Sequence, residues 1–299
     1  MIWIWLAVGS ALFLGLYDIA KKKSLDHNAV WPVLFFCTVS GAALMLPPLT
    51  LSLWNPDFAK AHDMWIPSIG LYDHLRLALK AVIVSLSWAY TYQALKHLPL
   101  SVAAPIRASA PLFTLFSAVL FLGERPSLLQ WSGIALTLIS YWIFALAGRK
   151  EGIAFHKDKW VGFMFLGTLF GAGSSIYDKH LLQGLGYSAM TVQAYFNLYM
   201  MIIQGSWVLL FWLPKRKESA PFQWRWSIPL VGLLLVVADQ FYFHAIAHQD
   251  ALISVVSVVR RSSVVISFAL GILVLKESRR VGKIIAVIGI LLGLVLMTY

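Results

Sequence analysis

Two long apolar segments of this chain carry arginine near their middle. Leu98 to Leu122 reads LPLSVAAPIRASAPLFTLFSAVLFL and contains Arg107. Leu252 to Leu275 reads LISVVSVVRRSSVVISFALGILVL and contains Arg260 and Arg261. Each exceeds the roughly 20 residues that an α-helix needs to cross the hydrocarbon core of a bilayer. An arginine at the centre of a lipid-facing helix costs about 2.5–3.5 kcal/mol on insertion scales, so three would cost on the order of 10 kcal/mol. They are tolerable only beside a water-filled cavity, an anion or a buried partner.

Composition places the whole chain in the membrane. It is 60% hydrophobic and 12% charged, with a mean hydropathy of +0.76, against about 25% charged residues in soluble domains. The net charge of +11 falls mostly in short loops between apolar runs. That distribution fits orientation by the positive-inside rule rather than nucleic-acid binding. A single cysteine, Cys37, excludes an internal disulfide and a cysteine metal cluster. The opening MIWIWLAVGS has no basic region ahead of its apolar run, so it reads as a retained membrane helix rather than a cleaved signal.

Hydropathy predicts an all-α integral membrane protein of ten transmembrane helices. The spans are Ile2–Ala20, Val30–Leu53, Leu77–Leu95, Leu98–Leu122 and Leu128–Ala147, then Trp160–Tyr177, Thr191–Leu213, Ile228–Ala247, Leu252–Leu275 and Ile284–Met297. Trp54 to His74 is amphipathic enough to lie along the interface. Trp3, Trp31, Trp54, Trp131, Trp160 and Trp224 sit near span ends, as an aromatic belt requires. A polar linker, 148–159, divides the chain into halves at 1–147 and 160–299.

The halves repeat. Arg107 precedes Glu124 by 17 positions, and Arg260 precedes Glu277 by the same interval. Tyr17-Asp18 closes the first span and Tyr177-Asp178 the sixth. An odd number of spans per half makes the second repeat inverted. Inverted five-helix repeats are a common carrier architecture with the site at the midplane. Arg107 and Arg260 lie about 14 Å and about 12 Å from opposite faces at the helical rise per residue, which brings them to one level. Loops after odd-numbered spans hold sixteen lysines and arginines; those after even-numbered spans hold five, namely Lys60, Arg76, Lys80, Arg125 and Lys179. This bias predicts both termini outside the cytoplasm.

With ten spans, the duplication and the segment APLFTLFSAVLFLGERPSLLQWSGIALTLIS, nearly the whole chain resembles the drug/metabolite transporter superfamily, including EamA-type transporters. Gly123-Glu124-Arg125 is common to that superfamily and speaks for the fold, not the substrate. Its members usually keep both termini in the cytoplasm, a departure from the charge bias here. Three short motifs are similar to the triose-phosphate and nucleotide-sugar transporter branch: Ile106-Arg107-Ala108 with Pro111 and Phe113, the pair Arg260-Arg261, and Ser175-Ile176-Tyr177 with Lys179. The resemblance implies that Arg107, Arg260 and Arg261 hold a substrate phosphate. Arginine stands for lysine at two of these places, so the headgroup geometry differs.

The residues themselves point the same way. Guanidinium groups bind phosphate or carboxylate through paired hydrogen bonds. The alternative is burial against Asp239, but one acid does not neutralise three cations. Ser254, Ser257 and Arg261 share a helix face and are candidate cavity wall; their hydroxyls can equally bond their own helix backbone. Ala103, Ala104, Ala108 and Ala110 permit close approach around Arg107, while Pro105 and Pro111 are expected to kink that helix. Tyr242, Trp88 and Tyr92 are further candidates for lining the substrate path, beside Tyr90, with packing as the plainer role. Asp239 and His244 are candidate coupling groups. Asp18 with Lys21, and Asp178 with Lys179, are expected to form interfacial ion pairs able to act as gates. Gly167-x-x-x-Gly171 and Gly289-x-x-x-Gly293 fit close helix contact, internal or at a dimer seam.

Enzyme chemistry finds little support: HAIAH at 244–248 lacks the glutamate of a zinc-protease helix, and there is no phosphate-binding loop or nucleophile elbow. No cofactor or metal is expected. The expected function is alternating-access secondary transport of a small phosphate- or carboxylate-bearing metabolite, by exchange, across a bacterial inner membrane, by a monomer or homodimer. Two alternatives remain open at this point: an exporter of amino acids or other neutral metabolites, and a lipid flippase or scramblase.

Overall fold

A computed structural model describes residues 2–98, 106–107, 109–146, 158–218, 220–267, 269 and 281–298. Ala103, Ala104, Pro105, Ala108, Glu277 and most of the central linker lie outside the described residues. The described chain is helical without strands. Its elements are α1 (Ile2–Leu25), α2 (Val30–Trp54), α3 (Pro56–Ala61), α4 (Leu71–His97), α5 (Ala110–Leu122) and α6 (Leu128–Leu146). They continue as α7 (Lys159–Lys179), α8 (Ala189–Trp207), α9 (Ser227–Ala247), α10 (Ile253–Arg261) and α11 (Val281–Met297).

Local chemistry sets several boundaries. Asp158 accepts from Trp160 N at 2.8 Å to start α7, and Ser188 accepts from Thr191 N at 3.1 Å to start α8, the usual N-cap arrangement. Gly123 ends α5 in the left-handed conformation, φ 64°, where a Cβ would be strained. Pro111 stands in the first turn of α5. There its missing N–H is harmless to α5, and it offers no donor to Arg107 O, so the span is interrupted here, as expected of this proline.

Among the described residues, five helices are long and apolar enough to cross a membrane: Ile2–Leu25, Val30–Trp54, Lys159–Gly184, Ala189–Lys215 and Ser227–Ala247. Ala110–Leu122, Leu128–Ile143 and Ile284–Met297 are apolar but shorter. α4 has the length, but Asp73, His74, Arg76 and Lys80 dilute its first turns. Lys80 lies within this helix, as the expected span Leu77–Leu95 has it, and is 2% exposed, so it does not belong with the loop cations of the charge count. Lys21 likewise belongs to the last turns of α1. Between α2 and α4, the short α3 takes the stretch expected at the interface, with Trp54, Phe58 and Trp65 exposed along it.

The principal contacts run between the halves: α1 along α9, α4 along α7, α2 along α8, α5 against α10, and α6 along α11. Small residues bring these pairs close. A Cβ on Gly133 of α6 would stand 2.6 Å from Gly293 O of α11. Gly167 and Gly171 of α7 sit against Thr91 and Ser87 of α4, and Ser87 Oγ donates to Gly167 O at 2.7 Å. Both glycine pairs singled out in the sequence thus serve packing within the chain. Two faces result. One gathers the starts of α1, α4, α8 and α10. The other gathers the end of α1, with Lys21, Lys22 and Lys23, and the start of α9.

Candidate functional site

Both arginine-bearing spans turn at a serine two residues beyond an arginine, Ser109 after Arg107 and Ser262 after Arg260, and they turn alike. Ser109 N bonds Ile106 O at 3.1 Å, and Ser262 N bonds Val259 O at 3.0 Å. The two serine hydroxyls donate to the same carbonyls, each at 2.6 Å. Each three-residue closure replaces the four-residue bond of an α-helix. The helices resume at Ala110 and Ser263. Interrupted helices at membrane depth are tolerated where the freed backbone lines a cavity. In sequence the two serines are unremarkable; their equivalence shows only once the two arginine segments are set in register.

A cavity of about 320 Å³ lies against these breaks. Arg107, Arg260 and Arg261 line it, together with Asp18, Asp178 and Asp239. Trp88, Tyr92, Tyr242 and Ser257 also reach it, as do Lys21 and Lys80. Lys179 and His244 are not among its lining residues. His244 is exposed and bonds Gln240 O at 2.8 Å through Nδ1. Ser254 turns from the cavity to Glu124, so of the expected wall only Ser257 and Arg261 face it. Tyr90 stacks on Phe170 instead.

The charges of the cavity divide into two groups. In the first, cations are closed on acids. Lys80 pairs with Asp178, both nearly inaccessible, with its ammonium 4.4 Å and 4.9 Å from the ring centres of Phe196 and Phe243. Arg260 pairs with Asp239, donates from Nε to Ser10 Oγ at 3.2 Å, and lies 4.0 Å over the Tyr242 ring. In the second group, Arg107 and Arg261 are exposed and make no hydrogen bond or ion pair among the described residues. Asp18 accepts from Ser267 Oγ at 3.1 Å.

The expected interfacial pairs do not form. Asp178 and Lys179 are adjacent on a helix, so their side chains diverge; Asp178 meets Lys80, and Lys179 meets Glu124 at 2.6 Å. Lys21 could reach Asp18 three residues away, but its ammonium donates to Tyr17 Oη at 3.1 Å. Sequence reading missed Lys80 and Lys21 as cavity residues. Lys80 has a signal, a lone lysine amid LALKAVIVSL; Lys21 is masked by the basic run that follows it.

Two tyrosine hydroxyls complete the picture. Tyr92 Oη and Tyr242 Oη are buried with no well-aligned hydrogen bond among the described residues, Tyr92 lying beside the Lys21 ammonium and Tyr242 beside Ser175, and both side chains line the cavity. A buried hydroxyl left unpaired costs about 1–3 kcal/mol, and a polar guest would relieve that.

The EamA-like transporter family model matches residues 1–146 and 158–299. Among solved structures, a crystal structure of a protein 16% identical to this one superposes with a TM-score of 0.73. That alignment covers 100% of this chain and 98% of the other, and at such identity it establishes the fold alone. No curated protein matches the sequence. With family matches over both halves of a helical membrane fold, the chain belongs to the EamA-like transporter family, within the drug/metabolite transporter superfamily.

Proposed function

We propose that the protein is a secondary carrier of a small anionic metabolite, working by alternating access between two inverted five-helix repeats. The carrying observation is the pair Arg107 and Arg261, which open on the cavity from opposite halves with no acid bonded to either. Their guanidinium groups offer parallel donors suited to phosphate or carboxylate. The partner pattern of the helices, with α1 on α9 and α4 on α7, and the two segments of the family match support the duplication.

Exchange follows from the charge. An empty cavity with surplus cations resists reorientation through a low-dielectric layer, whereas a loaded one is neutralised. The test is counterflow in reconstituted vesicles, with a screen of phosphorylated and carboxylated metabolites by thermal shift to supply the substrate. Rapid uptake of labelled substrate is expected only into vesicles preloaded with unlabelled substrate. Equal uptake into empty vesicles would contradict exchange.

One observation favours a second reading. Arg260 is neutralised internally by Asp239, and Asp18 offers the cavity an acid. An amino acid could place its carboxylate at Arg107 and Arg261 and its ammonium at Asp18. Stabilisation by amino acids but by no phosphorylated compound would select it.

A further inference from the structure

We infer that Lys21, held in a cage of Tyr17, Trp88 and Tyr92, is the third free cation of the substrate site, and that it fixes the preferred substrate as a dianion, a phosphomonoester or dicarboxylate. This rests on the anion-carrier reading above.

The Lys21 ammonium lies 4.7 Å from the ring centre of Tyr92, 5.2 Å from that of Tyr17 and 5.8 Å from that of Trp88. These distances are within reach of the attraction between a cation and the negative face of an aromatic ring. All four side chains line the cavity that holds Arg107 and Arg261. An ammonium has three donors and no acceptor; Tyr17 Oη takes one.

The manner of holding matters. A carboxylate partner would position the lysine and cancel its charge. Aromatic faces position it and leave the charge whole, because a quadrupole carries no net charge. Asp18, one turn away, is within the spacing of a helical ion pair, yet the ammonium sits with the rings. Lys80 and Arg260 are the contrast: both also lie over aromatic rings, but each is closed on an aspartate.

Charge then sets the guest. Lys21, Lys80, Arg107, Arg260 and Arg261 face Asp18, Asp178 and Asp239, an excess of two positive charges. The two closed pairs contribute nothing to that excess. Among the described residues it resides on Lys21, Arg107 and Arg261, offset only by Asp18. A dianion neutralises the loaded cavity, and a monoanion leaves it one charge short. The Tyr92 hydroxyl lies beside the Lys21 ammonium in the same cage and keeps its own proton to donate to a further substrate oxygen.

The experiment compares two probes of similar size, methyl phosphate and dimethyl phosphate, on full-length protein in nanodiscs of neutral lipid. The second pKa of a phosphomonoester is about 6, so at pH 7.5 the first probe is a dianion and the second a monoanion. Calorimetric titration should show wild type binding methyl phosphate at least about tenfold more tightly than dimethyl phosphate, as a charged contact worth about 1.4 kcal/mol requires. Lys21→Met should collapse that ratio towards one by weakening methyl phosphate alone, and Lys21→Arg should retain it. Trp88→Leu, which opens the cage but keeps the charge, should reduce the ratio by an intermediate factor and stands in if Lys21→Met fails to fold. An unchanged ratio in Lys21→Met, or in Trp88→Leu where that variant stands in, overturns the role of Lys21 and leaves the carrier reading intact. A wild type binding both probes equally overturns the dianion preference alone. A wild type binding neither overturns the anion-carrier reading, and this inference with it.

Discussion

Glu124 of the first half caps the helix that begins at Ile253 in the second and continues through Ser254. Its carboxylate accepts from Ile253 N at 2.7 Å, from Ser254 N at 3.1 Å and from the Ser254 hydroxyl, and takes the Lys179 ammonium at 2.6 Å. The capped helix is α10, which carries Arg260 and Arg261 in its last turn. An acid at the start and bases at the end both suit the helix dipole. The Gly-Glu-Arg loop is thereby a clasp between halves: Gly123 turns the chain, and Glu124 reaches across to fix the arginine-bearing helix.

Glu124→Ala should therefore lower stability, by about 0.5–2 kcal/mol for the lost cap and by more because Lys179 is stranded at 13% exposure. Thermal unfolding in detergent measures it. In the double variant Glu124→Ala/Lys179→Met, part of the loss should return; strict additivity of the two single changes would show that the clasp is not a unit.

The pair Lys80 and Asp178 makes a sharper cycle. Removing one partner of a buried ion pair costs about 3–5 kcal/mol, while replacing both is often neutral. Lys80→Met and Asp178→Asn should each reduce the yield of folded protein severely, and the double variant should recover most of it. A double variant as unstable as the worse single one argues for separate roles.

The three arginines should separate by phenotype. Arg107→Ala removes an unpaired cation, so substrate affinity should fall by about 2–5 kcal/mol with the unfolding temperature near wild type. Arg260→Ala strands Asp239 and should lose stability as well as affinity. If titration and unfolding experiments find the two variants alike, the division into closed and open cations is wrong. Arg261→Lys keeps the charge but not the fork of donors, and should be costly where contact is bidentate.

Helix contact gives a control. Gly133→Ala forces a methyl group against Gly293 O at 2.6 Å, backbone that cannot swing away, and overpacking of this kind costs about 1–3 kcal/mol. Gly162, in α7, has nothing within 4 Å of an added Cβ. Gly162→Ala should be neutral or stabilising by up to about 1 kcal/mol, from helix propensity. Melting curves of the two variants, side by side, test whether the α6–α11 seam is as tight as it looks.

What the sequence determined by itself are the properties that local composition controls. Apolar length fixed the helical membrane class, and the cost of arginine in hydrocarbon directed attention to Arg107, Arg260 and Arg261, all of which line the cavity. The glycine spacings pointed to close helix contact. The partner of each charge was decided only by the tertiary structure. Lys80 finds Asp178 98 residues away, Lys179 finds Glu124 55 residues back, and Lys21 finds Trp88 and Tyr92 on another helix. An ion pair between helices leaves no periodic trace along the chain, because its geometry belongs to the crossing of two axes. For the same reason nothing along the chain pairs Lys80, inside the expected span Leu77–Leu95, with an acid, or sets Lys21 apart from the basic run it begins. Only folding separates the cations held by the protein's own acids from those left open for a guest.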